Sequence, residues 1–228
     1  MKPIPFIFSL IASLLLIIAV LFTSLQLCMN EEGWYFERYS EYGLAEKTGI
    51  STEDMTRAIM RLVDYMEGKV ESIDLEVVEN GETVSMYNER ERLHMLDVRA
   101  LYQAWRSVRN FALPAAAILF IAALALAGEG RRLQTASRGY VWASAAFGAV
   151  LAALGAWVVA DFNSFWTAFH HLFFTNDLWL LSYATDRMIR ICPAQLFSDI
   201  VIRFALMFLI PFMALFILAL IGRRRAKA

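Results

Sequence analysis

The chain is poor in the residues that most enzymes use as reactive groups. Among 228 residues there are two cysteines, Cys28 and Cys192, and three histidines, His94, His170 and His171. So few cysteines exclude a disulfide-stapled scaffold. No Gly-x-Ser-x-Gly elbow is present, which removes the usual setting for a serine nucleophile, and there is no glycine-rich loop to cradle a phosphate. The His-Glu-x-x-His spacing of a helical zinc site is missing as well. There is no internal repeat, and a net charge of −1 gives no signal for a nucleic-acid partner, so none is expected.

Hydrocarbon fills the space these absences leave. Hydrophobic residues make up 59% of the chain, with 17 Phe and 6 Trp, well above the make-up of a soluble domain. Four apolar runs approach or exceed the ~20 residues that match a hydrocarbon core of roughly 30 Å. They extend from Ile4 to Cys28, Phe111 to Ala127, Tyr140 to about Val159, and Phe197 to Ile221. The expected fold class is an all-α membrane protein of four transmembrane helices, with an extracytoplasmic cap built from helix and a short hairpin. The expected division is helix 1 over 1–29, the cap over 30–108, and helices 2–4 over 109–228, with a cytoplasmic loop at 128–139 and an outer segment at 160–196.

Orientation follows from the basic residues. Lys2, then Arg131, Arg132 and Arg138, then Arg223, Arg224, Arg225 and Lys227 fall on one side if the helices alternate, and the positive-inside rule makes that side cytoplasmic. Both termini are then expected inside a bacterial cell membrane, and all three histidines outside. The first run, with "LQLC" at Leu25 to Cys28, superficially resembles a lipoprotein signal. Leu27 is too large for cleavage before Cys28 and the run exceeds a signal core, so a retained helix is expected. Whether Cys28 and Cys192 are bonded is open at this point.

Within 30–108, "EEGWYFERYSEYGL" mixes aromatic and charged residues as chain at the headgroup level does. "GISTEDMTRAIMRLVDYMEG" reads as a helix capped by Ser51 or Thr52, with Met55, Ile59, Leu62, Val63 and Met66 on one face. Asn80-Gly81 between two alternating segments signals a hairpin. A second helix begins at Asn88 with Glu91 as its capping-box partner and runs on toward the second span. On it Arg90, Glu91, His94, Asp97 and Val98 share a face. In the later outer segment, read as a continuation of the third span, Phe162, Trp166, Phe169 and Phe173 form a stripe with His170 one step round. Trp179 is expected as an anchor at the membrane surface.

An exposed histidine is ordinarily a solvated polar side chain, but these three sit in particular company. Glu91 and Asp97 beside His94 are expected to hold its tautomer and raise its pKa, and the aromatics around His170 to lower its own. Two imidazoles pushed apart in this way suit an acid and a base. A metal site drawing on Glu91, His94, His170 and His171 is the rival, weakened because adjacent residues on a helix point about 100° apart. Asp97, Asp161, Asp177 and Asp186 read as caps and as partners for Arg187, Arg190 and Arg203.

"ERERLHMLDV" (Glu89 to Val98) and "FHHLFFTNDLWLLSYATDRMIRICPAQLF" (Phe169 to Phe197), in a four-span chain of this size, resemble the bacterial lipoprotein intramolecular transacylase family, Lit. The resemblance covers the whole layout. It implies that His-Met-x-Asp-Val places one catalytic histidine at His94 with Asp97 beside it, and that Phe-His-x-(Ile/Leu)-Phe-Phe places the other at His170, leaving His171 in a variable position. It also implies the reaction: the sn-2 acyl chain of a diacylglyceryl-cysteine lipoprotein moves to the α-amino group of the same cysteine, giving the lyso form. Nucleophile, ester and leaving group then all belong to one membrane-anchored substrate, which fits the missing nucleophile motifs. No cofactor or metal is expected. Glu91, Asp97, Trp166, Phe169, Phe173, Phe174, Asn176 and Trp179 are expected in support, the aromatics as a wall. Tyr87, Tyr102, Asn176 and Arg99 are the candidate oxyanion donors. The alternative reading is a non-enzymatic membrane-surface protein that binds lipid or peptide and responds to pH through its histidines.

Overall fold

The computed structural model describes residues 3–225. Lys2 and Lys227, used above for orientation, lie outside the described residues. Four helices are long and apolar enough to cross a membrane: α1 (Pro3–Met29), α5 (Glu89–Ala127), α6 (Arg132–Ala160, preceded by a 3-10 turn at Glu129–Arg131) and α9 (Ala194–Arg225). Between α1 and α5 come α2 (Glu32–Glu41), α3 (Leu44–Thr48), α4 (Thr52–Glu67), β1 (Glu76–Glu79) and β2 (Glu82–Ser85). Between α6 and α9 come α7 (Phe162–Phe173) and α8 (Arg187–Ile191). The chain forms two compact units, one from 1–26, 105–162 and 204–228, the other from 27–104 and 163–203.

In the first unit small residues let helices approach closely, as they do where lipid is the solvent. Ser9 Oγ donates to the Thr135 carbonyl (3.1 Å), and a Cβ at Gly139 would lie 2.8 Å from the Ser9 backbone carbon. Ile17, Tyr140, Ala143, Phe208 and Phe212 form its buried cluster. Pro114 and Pro211 both lie inside helices of this unit, α5 and α9, at places where the apolar run continues on either side.

The second unit holds the two-stranded sheet and a core of another kind. Ser51 Oγ accepts the Asp54 N–H (3.0 Å) to start α4, and Gly68, at φ 77°, ends it in the left-handed conformation that glycine adopts without strain. Met55, Ile59, Leu62, Val63 and Met66 are buried along one side of α4, matching the expected face. The hairpin turns at Asn80 (φ 52°) and Gly81 (φ 89°), both left-handed as a two-residue turn requires, in the register Val77 to Val84.

Three features depart from expectation. The segment at 32–48 is helical, and Tyr35 and Tyr39, one turn apart, are sealed into the core instead of lying at a headgroup level. The third span does not continue into the later segment, because Asp161 is extended (φ −156°, ψ 90°) and interrupts the helix before α7. Arg187 and Arg190 do not pair with the neighbouring aspartates; both hold Glu79 on β1 (2.7 Å each), and Arg203 pairs with Glu31. Cys28 and Cys192 are buried free thiols, and burial pushes the Cys192 thiol up to about 12.

Candidate functional site

The first turn of α5 fixes where His94 stands. Asn88 Oδ1 accepts the Glu91 N–H (3.0 Å) while Glu91 Oε2 accepts the Asn88 N–H (2.7 Å), the reciprocal capping box expected from the sequence. Glu91 is 1% exposed, and its other oxygen accepts the Met188 N–H (2.5 Å), tying the start of α5 to the start of α8. Asn88 Nδ2 also donates to Asp186 Oδ1 (2.6 Å), whose second oxygen accepts the Ser182 N–H (2.6 Å). His94 lies one turn further along the helix from this clasp. It precedes the apolar stretch 111–127 and belongs to the second unit.

His170 occupies the last turn of α7 in the same unit, and the fold brings the two rings to a centroid separation of 6.3 Å. They are 8% and 7% exposed, whereas His171 is exposed. The stripe at helical spacing on α7 wraps His170: Trp166 meets it edge-on at 4.9 Å, Phe169 at 5.6 Å, and Phe174 lies 5.7 Å away. Phe174 also packs its ring against His94 at 5.5 Å, so it borders both histidines. Trp166 and Phe169 stack at 5.5 Å, and Phe173 extends the same row, 4.9 Å from Phe169. Trp179 is stacked on His170 at 4.7 Å. It stands beside the histidine, as expected of a member of the aromatic wall.

The protonation states follow from these partners. His170 Nδ1 is 2.7 Å from the Trp166 carbonyl, an acceptor only, so Nδ1 carries the proton and the neutral ring presents a lone pair at Nε2. Burial holds His170 below its ordinary pKa. His94 is pushed down further, to about 4, first by burial and then by the neighbouring His170. The expected rise at His94 is thereby reversed. Glu91 spends both oxygens on backbone N–H groups, and Asp97 accepts from Asn176 Nδ2 (2.8 Å), leaving His94 Nδ1 buried with no hydrogen-bond partner among the described residues. Glu91 itself is shifted upward by its burial.

Of the expected site residues, the structure gathers His94, His170, Trp166, Phe169, Phe174 and Trp179 about the two imidazoles, while Glu91, Asp97 and Asn176 anchor the surrounding chain. Arg90 donates to the Asp177 carbonyl, a second tie across the same loop. Among the described residues, no three His, Cys, Asp or Glu side chains are placed to share one ion. The residue that sequence reasoning missed as a polar group is Trp179. The only available signal was its position a few residues beyond Asn176-Asp177, too loose to place a ring.

Two buried, neutral imidazoles flanked by aromatic faces can pass a proton without offering a nucleophile of the protein's own. No curated protein matches the chain. Among solved structures it is similar to the membrane-integral lipoprotein intramolecular transacylase Lit from Bacillus cereus, with a TM-score of 0.77 and 16% identity over 100% of this chain and 99% of that one. Structures of the Bacillus cereus protein with a histidine replaced by arginine or by alanine are similar at a TM-score of 0.73 and 16% identity, covering 97% of this chain and 92% or 94% of theirs. The family model described as lipoprotein intramolecular transacylase Lit matches residues 10–197. With most of its length accounted for in this way, the chain belongs to the Lit family of membrane-integral lipoprotein transacylases and is an acyltransferase.

Proposed function

We propose that the chain transfers the sn-2 acyl group of a diacylglyceryl-cysteine lipoprotein to the free α-amino group of the same cysteine, with His170 as general base and His94 at the leaving oxygen. The observation that carries this is the pairing of two buried imidazoles at 6.3 Å, one of them held in a known tautomer by the Trp166 carbonyl. An α-amino group with a pKa near 8 is mostly protonated at pH 7, which costs about one unit, or ~1.4 kcal/mol, before attack. Once that proton has gone to water, a neutral His170 with its lone pair at Nε2 is ready to take the second, which the nitrogen sheds as it forms the new bond. His94 hydrogen-bonds the glyceryl oxygen, takes up the proton released by the attacking amine and delivers it to that oxygen as the ester bond breaks.

The aromatic wall supports the same reading. Attack through a medium-sized ring is entropically poor for a flexible lipid, and a fixed conformer is worth several kcal/mol. Trp166, Phe169, Phe173 and Phe174 offer rigid faces for that purpose. We place this unit on the extracytoplasmic side, following the clusters Arg131, Arg132, Arg138 and Arg223 to Arg225. Mass spectrometry of a reporter lipoprotein, co-expressed with the chain in a host lacking the activity, tests the proposal. The lyso form should appear with the unsubstituted chain and with His171→Ala, and be lost with His94→Ala and His170→Ala. Full conversion by His170→Ala would sink the assignment.

A further inference from the structure

An acyl shift from oxygen to nitrogen puts negative charge on the oxygen of the attacked carbonyl, and a donor must be waiting for it. The four donors suggested by the sequence are committed elsewhere. The Tyr87 hydroxyl donates to the Ala58 carbonyl (2.8 Å) and that of Tyr102 to Glu67 (3.2 Å). Asn176 Nδ2 is held by Asp97, and the Arg99 guanidinium lies over the Tyr65 ring, 4.5 Å from its centroid.

Trp179 is different. Its indole Nε1–H is closed off from solvent and has no acceptor among the described residues. A buried donor left unpaired is costly and rare, and asks for a reason. The ring is also fixed in place: it stacks on His170 at 4.7 Å and 28°, and His171 meets it edge-on at 5.1 Å and 89°. If it served only as an aromatic wall, Phe would fill much of the same space and bury no unmet donor, as Phe169, Phe173 and Phe174 do nearby.

We propose that Trp179 is a catalytic residue whose indole N–H donates a hydrogen bond to the acyl carbonyl oxygen as that oxygen becomes an alkoxide. This rests on the O-to-N transfer proposed above. The amine nitrogen forms its bond to the carbonyl carbon, the C=O π pair moves onto the oxygen facing Trp179, and His170 takes the amine proton. When the alkoxide collapses, the bond to the glyceryl oxygen breaks and that oxygen receives, by way of His94, the proton that His170 removed from the amine, leaving an amide and a free hydroxyl with no change of oxidation state.

The test uses the full-length chain in detergent with a synthetic diacylglyceryl-cysteine lipopeptide and mass-spectrometric detection of the lyso product. Trp179→Phe removes the N–H and part of the ring. Replacing Trp179 with benzothienylalanine removes the N–H alone and keeps the bicyclic shape, so folding and wall are preserved. Both substitutions are expected to lower kcat by about 10² to 10³, the usual cost of one oxyanion donor, with KM changed less than about twofold. A benzothienylalanine variant with unchanged kcat, or one whose loss lies wholly in KM, overturns the assignment whatever Trp179→Phe does. If the unsubstituted chain makes no lyso product, the transfer reading itself fails, a result distinct from a fully active benzothienylalanine variant.

Discussion

In the first unit Phe111, Ile121, Val159 and Ile210 are each more than two-thirds exposed, and the close contacts are made by residues as small as Ser9 and Gly139. In the second, Tyr35, Tyr39 and Tyr87 are at most 1% exposed, and buried polar groups such as Glu91 and Asp186 are tied by hydrogen bonds. The contrast reflects what each unit has for solvent. Lipid is as apolar as the side chains it meets, so burying hydrocarbon gains little there and close steric fit holds the helices. The second unit is built as a water-excluding core, where removing apolar surface from water drives packing and each buried polar group must be satisfied. The proposed chemistry belongs to the second unit, where side chains packed away from water are easier to hold in fixed positions than in a layer open to lipid.

The largest effect that would sharpen this contrast is kinetic. His170→Gln removes the proposed base while filling much of the same volume, and is expected to cut turnover by about 10² to 10⁴ with a far smaller effect on thermal stability in detergent. Val159→Ala, on a lipid-exposed position of the first unit, should leave both unchanged. Comparable losses from the two would erase the distinction between the units.

The next effect is a pH dependence that belongs to the second unit. His94 has a folded pKa of about 4 against an ordinary value of 6.5, so between those values the unfolded chain binds a proton that the folded chain does not. Stability from this group is present above pH 6.5 and is lost as pH falls toward 4. The full term is ~3 kcal/mol, and the side chain is too deeply buried for solvent screening to reduce it much. His170, lowered in the same direction, adds to the trend. Thermal unfolding at pH 7 and pH 4.5 should show a smaller acid loss for His94→Gln than for the unsubstituted chain, and equal losses would refute the burial argument.

In the first unit the matching effect is steric and independent of pH. A methyl at Gly139 would sit 2.8 Å from the Ser9 backbone carbon, so α1 and α6 must move apart. Gly139→Ala is expected to cost about 1–3 kcal/mol, with the same loss of thermal stability at pH 7 and pH 4.5. A loss that varied with pH would overturn the purely steric account of this contact.

Much of this was legible in advance, for identifiable reasons. Long apolar runs marked the four spans, Asn80-Gly81 marked the hairpin, and Asn88 with Glu91 marked the start of α5, because each signal is local. The helices at 32–48 were hidden because Tyr35 and Tyr39 stand among charged residues, where aromatic rings also suit a membrane surface. Helical spacing showed that Glu91, His94 and Asp97 share a face, but could not show that Glu91 would turn to the Met188 N–H, which lies on a distant segment. For the same reason the reversal of the His94 shift and the stacking of Trp179 on His170 needed the fold.

The smallest effect tests the finest contrast, between two adjacent histidines. His170 is buried with a carbonyl on Nδ1, while His171 is exposed and meets Trp179 edge-on at 5.1 Å. Such a contact is worth roughly 0.5 kcal/mol, and Trp179 remains stacked on His170 without it. His171→Ala should therefore slow turnover by no more than about threefold, through a slightly looser indole. Measured kcat for His171→Ala and Trp179→Phe, singly and combined, separates the alternatives. If His171 acts only by steadying Trp179, its small effect disappears once the indole is gone. If it persists in the double variant, His171 has a role of its own at the surface of the site.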